Sequence, residues 1–240
     1  KWINDLDEFL RLEKKLSNNT TLKYLKLFKK IYNIALRNGW ATKDPFANFK
    51  MKFDQVKREF LSLNEIKQLI DKNLHIERLE HVRDVFVFCC LTGLRFSDVS
   101  KLNQDDIHTN IDGSKSIIKK TQKSKTIIRV PLLPTAENII NKYKDSIYCR
   151  VKGVCLPVIT NQRTNAYLKE IAELCGIKKN LTFHMARHTF ATLSLEYGLS
   201  TETVKAILGH SDLATTQIYT NVTDTKIMNE MNELKSKITI

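Results

Sequence analysis

Apolar residues recur every three or four positions through most of the chain, which is the spacing of amphipathic helices. The clearest case is residues 20–38, where one face is apolar and the turn before it carries good helix-capping residues. Residues 78–91 are apolar on nearly every side and predict a buried helix. The same criteria predict further helices at about 5–16, 95–102, 161–175, 184–197, 201–207, 212–219 and 224–237, with others starting near residues 61 and 135.

One stretch departs from this pattern and predicts strands. Ile117-Ile118 and the run 127–130 are rich in β-branched residues, and the polar turn 121–125 separates them. The expected fold class is therefore mainly α with one small antiparallel β-sheet.

A charged stretch without periodicity, residues 50–60, divides the chain. We read it as a linker and place a domain boundary near residue 57. The prediction is a helical domain at 1–56, with the domain at 57–240 carrying the sheet and a C-terminal helix.

The charge balance changes this picture, because 39 Lys and Arg face 26 Asp and Glu and leave a net charge of +13. Residues 1–53 hold 12 basic and 5 acidic residues, hence +7 of that total. An excess of this size favours a polyanion, and nucleic acid is the usual one. We expect the polar face of the 20–38 helix to follow DNA phosphates through five residues: Lys23, Lys26, Lys29, Lys30 and Arg37.

Five cysteines without metal-site spacing indicate core packing in a reducing compartment. No apolar run approaches the length of a membrane span. We expect a cytoplasmic protein with no membrane partner.

Three separated stretches carry the candidate chemistry: Leu91–Val99, His184–Thr192 and Leu208–Tyr219. His184 and Arg187 are three residues apart, so a helix places them on one face. Gly209 can end a helix and leave His210 on a tight loop. Each feature alone is weak, since an H-x-x-R pair is usually a surface pair and Tyr219 could be packed core.

Their joint occurrence favours attack of an oxygen nucleophile on a phosphodiester. Guanidinium and imidazole groups can hold the non-bridging oxygens and offset the charge of the transition state. We predict that Asp98 orients the Arg95 guanidinium and that His188 is a hydrogen-bonded structural histidine. The sequence offers no obvious carboxylate cluster, so we expect no metal and no cofactor. Lys123 is the candidate general acid for the leaving oxygen, with Lys125 as the alternative.

These three stretches resemble the motifs of the tyrosine recombinases, the family of phage integrases and Xer proteins. The resemblance implies that Arg95, Lys123, His184, Arg187 and His210 activate the phosphate and that Tyr219 is the nucleophile. It implies a 3′-phosphotyrosine intermediate, with His184 as the base for the tyrosine proton. Residues 1–56 would be a core-binding domain, shortened at its start, and 57–240 the catalytic domain.

The resemblance also implies partners. These would be double-stranded DNA core sites, a homotetramer on DNA and, in some cases, accessory DNA-bending proteins. The C-terminal helix would pack either on a neighbouring protomer or on its own domain. The function implied is integration or excision of a mobile element, such as a phage or a conjugative transposon, and the location implied is the bacterial cytoplasm, in association with the nucleoid.

Two other functions stay open at this point. A type IB topoisomerase shares the chemistry but needs no partner duplex. A DNA-binding regulator with an inactive site would keep the basic surface without the reaction.

Overall fold

The computed structural model describes residues 2–54 and 58–210. The chain divides into two compact units, Lys1–Lys57 and Arg58–Ile240. The predicted helices at 212–219 and 224–237 lie outside the described residues.

In the first unit, two helices, α1 (Trp2–Leu12) and α2 (Asn18–Arg37), enclose a small core. Its centre consists of Ile3, Leu22, Leu25 and Phe46. Arg11 of α1 donates to Asp7 one turn earlier and to Asn18 at the start of α2, which fixes the tight turn between the helices. The α2 helix starts two residues earlier than its apolar spacing predicted.

The second unit contains eight described helices and one sheet. The helices are α3 (Leu63–Asp71), α4 (Glu77–Thr92), α5 (Phe96–Val99), α6 (Pro134–Tyr143), α7 (Ile147–Lys152), α8 (Asn161–Leu174), α9 (Phe183–Glu196) and α10 (Thr201–Leu208). The sheet has the antiparallel order β1 (Ile107–Thr109), β2 (Lys115–Lys120) and β3 (Ile127–Pro131).

Helix α4 is the centre of this unit, because it packs against α3, α6, α8 and α9. Its middle is buried on every side, as the continuous apolar run Val85–Leu91 requires. Gly93 ends the helix in the left-handed conformation, with φ of 68°. Asp84 is also buried, and it accepts hydrogen bonds from Arg83, Lys142 and Tyr143. This network offsets the cost of burying its charge and ties α4 to α6.

The sheet and one helix differ from the prediction. Strand β1 adds a third strand to the predicted hairpin, with Ile107 opposite Ile117, and α7 was not predicted. The fold class is confirmed as mainly α with a small antiparallel sheet. No helix in the described parts of the chain is long and apolar enough to cross a membrane.

Candidate active site

The turn between α4 and α5 places Arg95 beside the start of α9. Phe96 of α5 and Phe183 of α9 meet edge to face, with ring centroids 5.2 Å apart. These two aromatic residues directly follow Arg95 and precede His184, so their contact brings the two candidate residues to one place. Thr182 occupies the cap position of α9 but its side chain makes no capping bond. The Phe183 N–H instead donates to Asn165 of α8 at 2.7 Å.

Arg187 joins the two loops that flank the site. Its Nη1 donates to the carbonyl of Gly93 at 2.8 Å, and its Nη2 donates to the carbonyl of Leu208 at 2.6 Å. The first bond fixes the turn that leads to Arg95, and the second fixes the loop that leads to His210. The side chain is almost fully buried. A guanidinium has five donors, so these two bonds do not exhaust it.

Asp98 does not orient Arg95 as predicted, since no hydrogen bond or ion pair joins them among the described contacts. Its Oδ1 instead accepts from the main-chain N–H of Gln122 at 2.8 Å. Asp98, in the first turn of α5, therefore holds the β2–β3 turn through this bond. Arg95 Nη1 is buried and has no hydrogen-bond partner within the described residues. An unpaired buried donor on a cation is a ready site for an anion.

The β2–β3 turn is held on both sides of Lys123. Gln122 is bound to Asp98, and the Ser124 hydroxyl donates to the carbonyl of Gly209 at 3.0 Å. Gly209 lies so close to the sheet that an added Cβ would be 2.8 Å from Ile128. The turn is therefore anchored on both sides, and the Lys123 side chain between the two bonds is exposed.

Three histidines lie together between these elements. The rings of His184 and His188 are 4.5 Å apart, one turn of α9 from each other. Burial is the main cause that lowers the pKa of His184, followed by the positive charges of Arg187, Arg58, Arg95 and Lys123. Burial also lowers the pKa of His188 and of His210 to about 4. At pH 7 and without DNA, these lowered pKa values favour the neutral form of all three imidazoles.

The charges that lower these pKa values show which predicted residues lie near one another. His184 and His210 both respond to Arg95 and Arg187, and His184 also responds to Lys123. The described part of the predicted site thus gathers in one basic patch from four places in the chain. Tyr219 lies outside the described residues. Among residues 2–54 and 58–210, no three His, Cys, Asp or Glu side chains are grouped to hold a metal ion.

Sequence reasoning missed Arg58 at this site. It lies in the charged stretch assigned to the linker, where no spacing or motif distinguishes it from its neighbours. Its charge lowers the pKa of both His184 and His188.

The basic face of α2 is described within the first unit alone. Lys23, Lys26, Lys30 and Arg37 are exposed, as expected. Lys29 is half-buried and lies over the ring of Phe46. With Leu27 and Ile34, these basic side chains line a shallow groove on the helix.

Two family models match the chain. Residues 59–226 match the phage integrase family, and residues 1–62 match the phage integrase SAM-like domain. Among curated proteins, the chain is similar to tyrosine recombinase XerD of Listeria innocua serovar 6a, with 30% identity over 93% of this chain and 79% of that protein. XerD of Lacticaseibacillus casei is 32% identical over 82% of this chain and 70% of its own length.

Solved structures share the fold. The Tn1549 transposon integrase in complex with circular intermediate DNA has a TM-score of 0.72 at 19% identity, over 95% of this chain and 84% of that one. The XerH recombinase bound to palindromic difH substrate has a TM-score of 0.68 at 20% identity, over 97% and 72% of the two chains. Since one family model covers more than half of the sequence, the chain belongs to the phage integrase family and is a tyrosine recombinase, an enzyme of site-specific DNA recombination.

Proposed function

We propose that this recombinase cleaves and rejoins DNA through a covalent 3′-phosphotyrosine at Tyr219, without a metal ion or ATP. The observation that carries the proposal is the buried, unpaired Arg95 Nη1, whose guanidinium lies near the imidazoles of His184 and His210. Arg95 and Arg187 would bind the non-bridging oxygens of the scissile phosphate. The neutral His210 would donate one N–H to the same group.

In the cleavage step, the Tyr219 hydroxyl oxygen attacks phosphorus and the bond from phosphorus to the 5′ oxygen breaks. The tyrosine proton passes to His184, which can accept it because its lowered pKa keeps it neutral. The fixed guanidiniums offset the charge that collects on the phosphate oxygens in the transition state.

The leaving 5′ oxygen takes a proton from the Lys123 ammonium and departs as a hydroxyl. In the rejoining step, a 5′-hydroxyl of the partner duplex gives its proton to the now neutral Lys123 and attacks the phosphotyrosine, and Tyr219 leaves and takes back its proton from His184. The phosphoester bond is kept in the covalent link, so the two steps balance without another energy source.

The substrate we propose is double-stranded DNA at core recombination sites. Residues 1–56 would be the core-binding domain, with the α2 lysines on the backbone, and 57–240 the catalytic domain. The likeness to a transposon integrase supports integration or excision of a mobile element. On DNA, the working assembly would be a homotetramer, with the C-terminal helix exchanged between protomers and bending proteins assisting at some sites.

The test begins with a duplex that binds the Tyr219→Phe variant, selected from a randomised library. A nick near the cleavage point then traps the covalent adduct, because the short released strand diffuses away. We expect the wild-type chain to form a phosphotyrosine adduct and Tyr219→Phe to form none. An equal adduct with the variant would show that another residue is the nucleophile.

A second assay separates recombination from topoisomerase activity. Two differently labelled duplexes with the same site are incubated with the protein. Joined products that carry both labels are expected, whereas relaxation of supercoils without joining would indicate the topoisomerase function. Specific binding with neither reaction would indicate a regulator.

A further inference from the structure

Arg58 stands at the same patch as the proposed activating residues, although it comes from a different part of the chain. It is the first residue of the second unit. Its charge affects His184 more than the charges of Arg95 and Lys123 do, and it affects His188 more than Arg187 does. No acidic residue among those described forms an ion pair with it.

The segment that follows Arg58 is fixed against α9. The main-chain N–H of Leu61 donates to the Thr189 hydroxyl at 2.9 Å, and Leu61 is fully buried. Lys179 donates to the carbonyl of Phe60 at 2.8 Å and also pairs with Glu65 at 2.6 Å. Thr189 adjoins His188 on α9, so these bonds hold the segment beside the histidines and limit where the Arg58 side chain can go.

The position of Arg58 differs from that of the other arginines. Arg187 is buried and bound to two carbonyls, and Arg95 has a buried Nη1. Arg58 is exposed, and its charge acts on His184 and His188. An exposed guanidinium beside a phosphate-binding site is suited to a second phosphate of the same strand, which it can bind through paired N–H donors.

We propose that Arg58 binds the backbone phosphate adjacent to the scissile one and positions the strand without taking part in the chemical step. This assignment rests on the function proposed above. It adds a strand-positioning contact from the segment that leads into α3.

The first test measures binding of Tyr219→Phe proteins to the selected duplex. Arg58→Gln should weaken binding about tenfold and lower the slope of log K against log salt by about 0.9. Arg58→Lys should recover part of the affinity. Arg150→Gln on α7 is the matched control, because that arginine is exposed and exerts no resolved effect on the histidines, and it should change binding far less.

The second test identifies the phosphate. Single methylphosphonates replace successive phosphates around the cleavage point. A methylphosphonate beside the scissile phosphate should weaken DNA binding by the parent protein. It should cause no further loss of affinity in Arg58→Gln. Equal loss in both proteins at every position would overturn the proposal.

The third test separates binding from chemistry. With Tyr219 present and DNA saturating, Arg58→Gln should lose much less in single-turnover cleavage rate than it loses in affinity. A slower rate with unchanged affinity would contradict a positioning role. If the wild type itself forms no adduct, the proposed function fails, while the binding comparison still tests Arg58.

A structural control checks the location. Removing the Arg58 charge should raise the pKa of His184 and His188, measured by NMR titration, and leave the urea midpoint unchanged. If the pKa values of both histidines stay unchanged, Arg58 lies away from the site and the proposal is wrong.

Discussion

Lys123 is the residue whose proposed role is most sharply testable. Lys123→Ala should slow single-turnover cleavage by about 10²-fold or more, because the 5′ oxygen then leaves without a proton. A substrate with sulfur in place of that oxygen needs no acid, so the variant should cleave it almost as fast as the wild type. Lys125→Ala, in the same turn, is the control. Equal slowing on both substrates would exclude Lys123 as the acid.

Asp98 should affect the same step indirectly, because its carboxylate accepts a hydrogen bond from Gln122, the neighbour of Lys123. Asp98→Ala should slow cleavage, and the sulfur substrate should restore most of the loss. Asp98→Asn keeps a carbonyl oxygen for the Gln122 N–H and should be milder. If Asp98→Ala and Lys123→Ala multiply their losses in the double variant, the two residues act independently and the positioning role is wrong.

At the scale of the element, the turn after α4 should tolerate no side chain. In Gly93→Ala the Cβ would lie 2.6 Å from Phe190 and 2.7 Å from Leu208, at φ of 68°. Strain and overpacking together should cost about 3 kcal/mol of unfolding free energy, measured with urea. The matched control is Gly153→Ala, which also has positive φ, of 63°, but nothing within 4 Å. It should cost only about 1 kcal/mol.

The DNA-free protein should be less stable in mild acid because of the buried His188 on α9. Burial lowers the pKa of His188 to about 4, so the unfolded chain takes up a proton between about pH 6.5 and 4 that the folded chain does not. Unfolding free energy should therefore fall as the pH falls through this window. Replacing His188 by asparagine should make this fall in unfolding free energy smaller, by on the order of 2 kcal/mol. Replacing the exposed His108 by asparagine is the control, and an unchanged slope for His188→Asn would contradict the argument.

The elements that sequence predicted are those with a local cause. Buried α4 follows from its apolar run, and the left-handed ends at Gly93 and Gly209 follow from residue type. Strand β1 has three residues, too few for a period, and it forms because β2 pairs with it. No local pattern indicates such a strand.

The candidate site divides in the same way. The motifs identified the cluster residues, but the partners of Arg187 lie 94 and 21 residues away in the sequence. Asp98 was assigned to its neighbour Arg95, whereas its actual partner is 24 residues away. Arg58 carried no signal, because a lone arginine in a charged stretch becomes distinctive only when α9 lies beside it.

At the scale of the whole molecule, charge placement should matter more than charge total. Replacing Lys23, Lys26 and Lys30 by glutamine removes three exposed charges from α2. If each contacts a phosphate, the slope of log K against log salt should fall by about 2.7. The control replaces Lys67, Lys152 and Lys169, three exposed lysines of the second unit, and alters net charge equally. General attraction to DNA depends on net charge, whereas counterion release depends on contacts. Only the α2 variant should therefore show this fall in the slope. Equal slopes for both variants would show that α2 supplies charge without following the backbone.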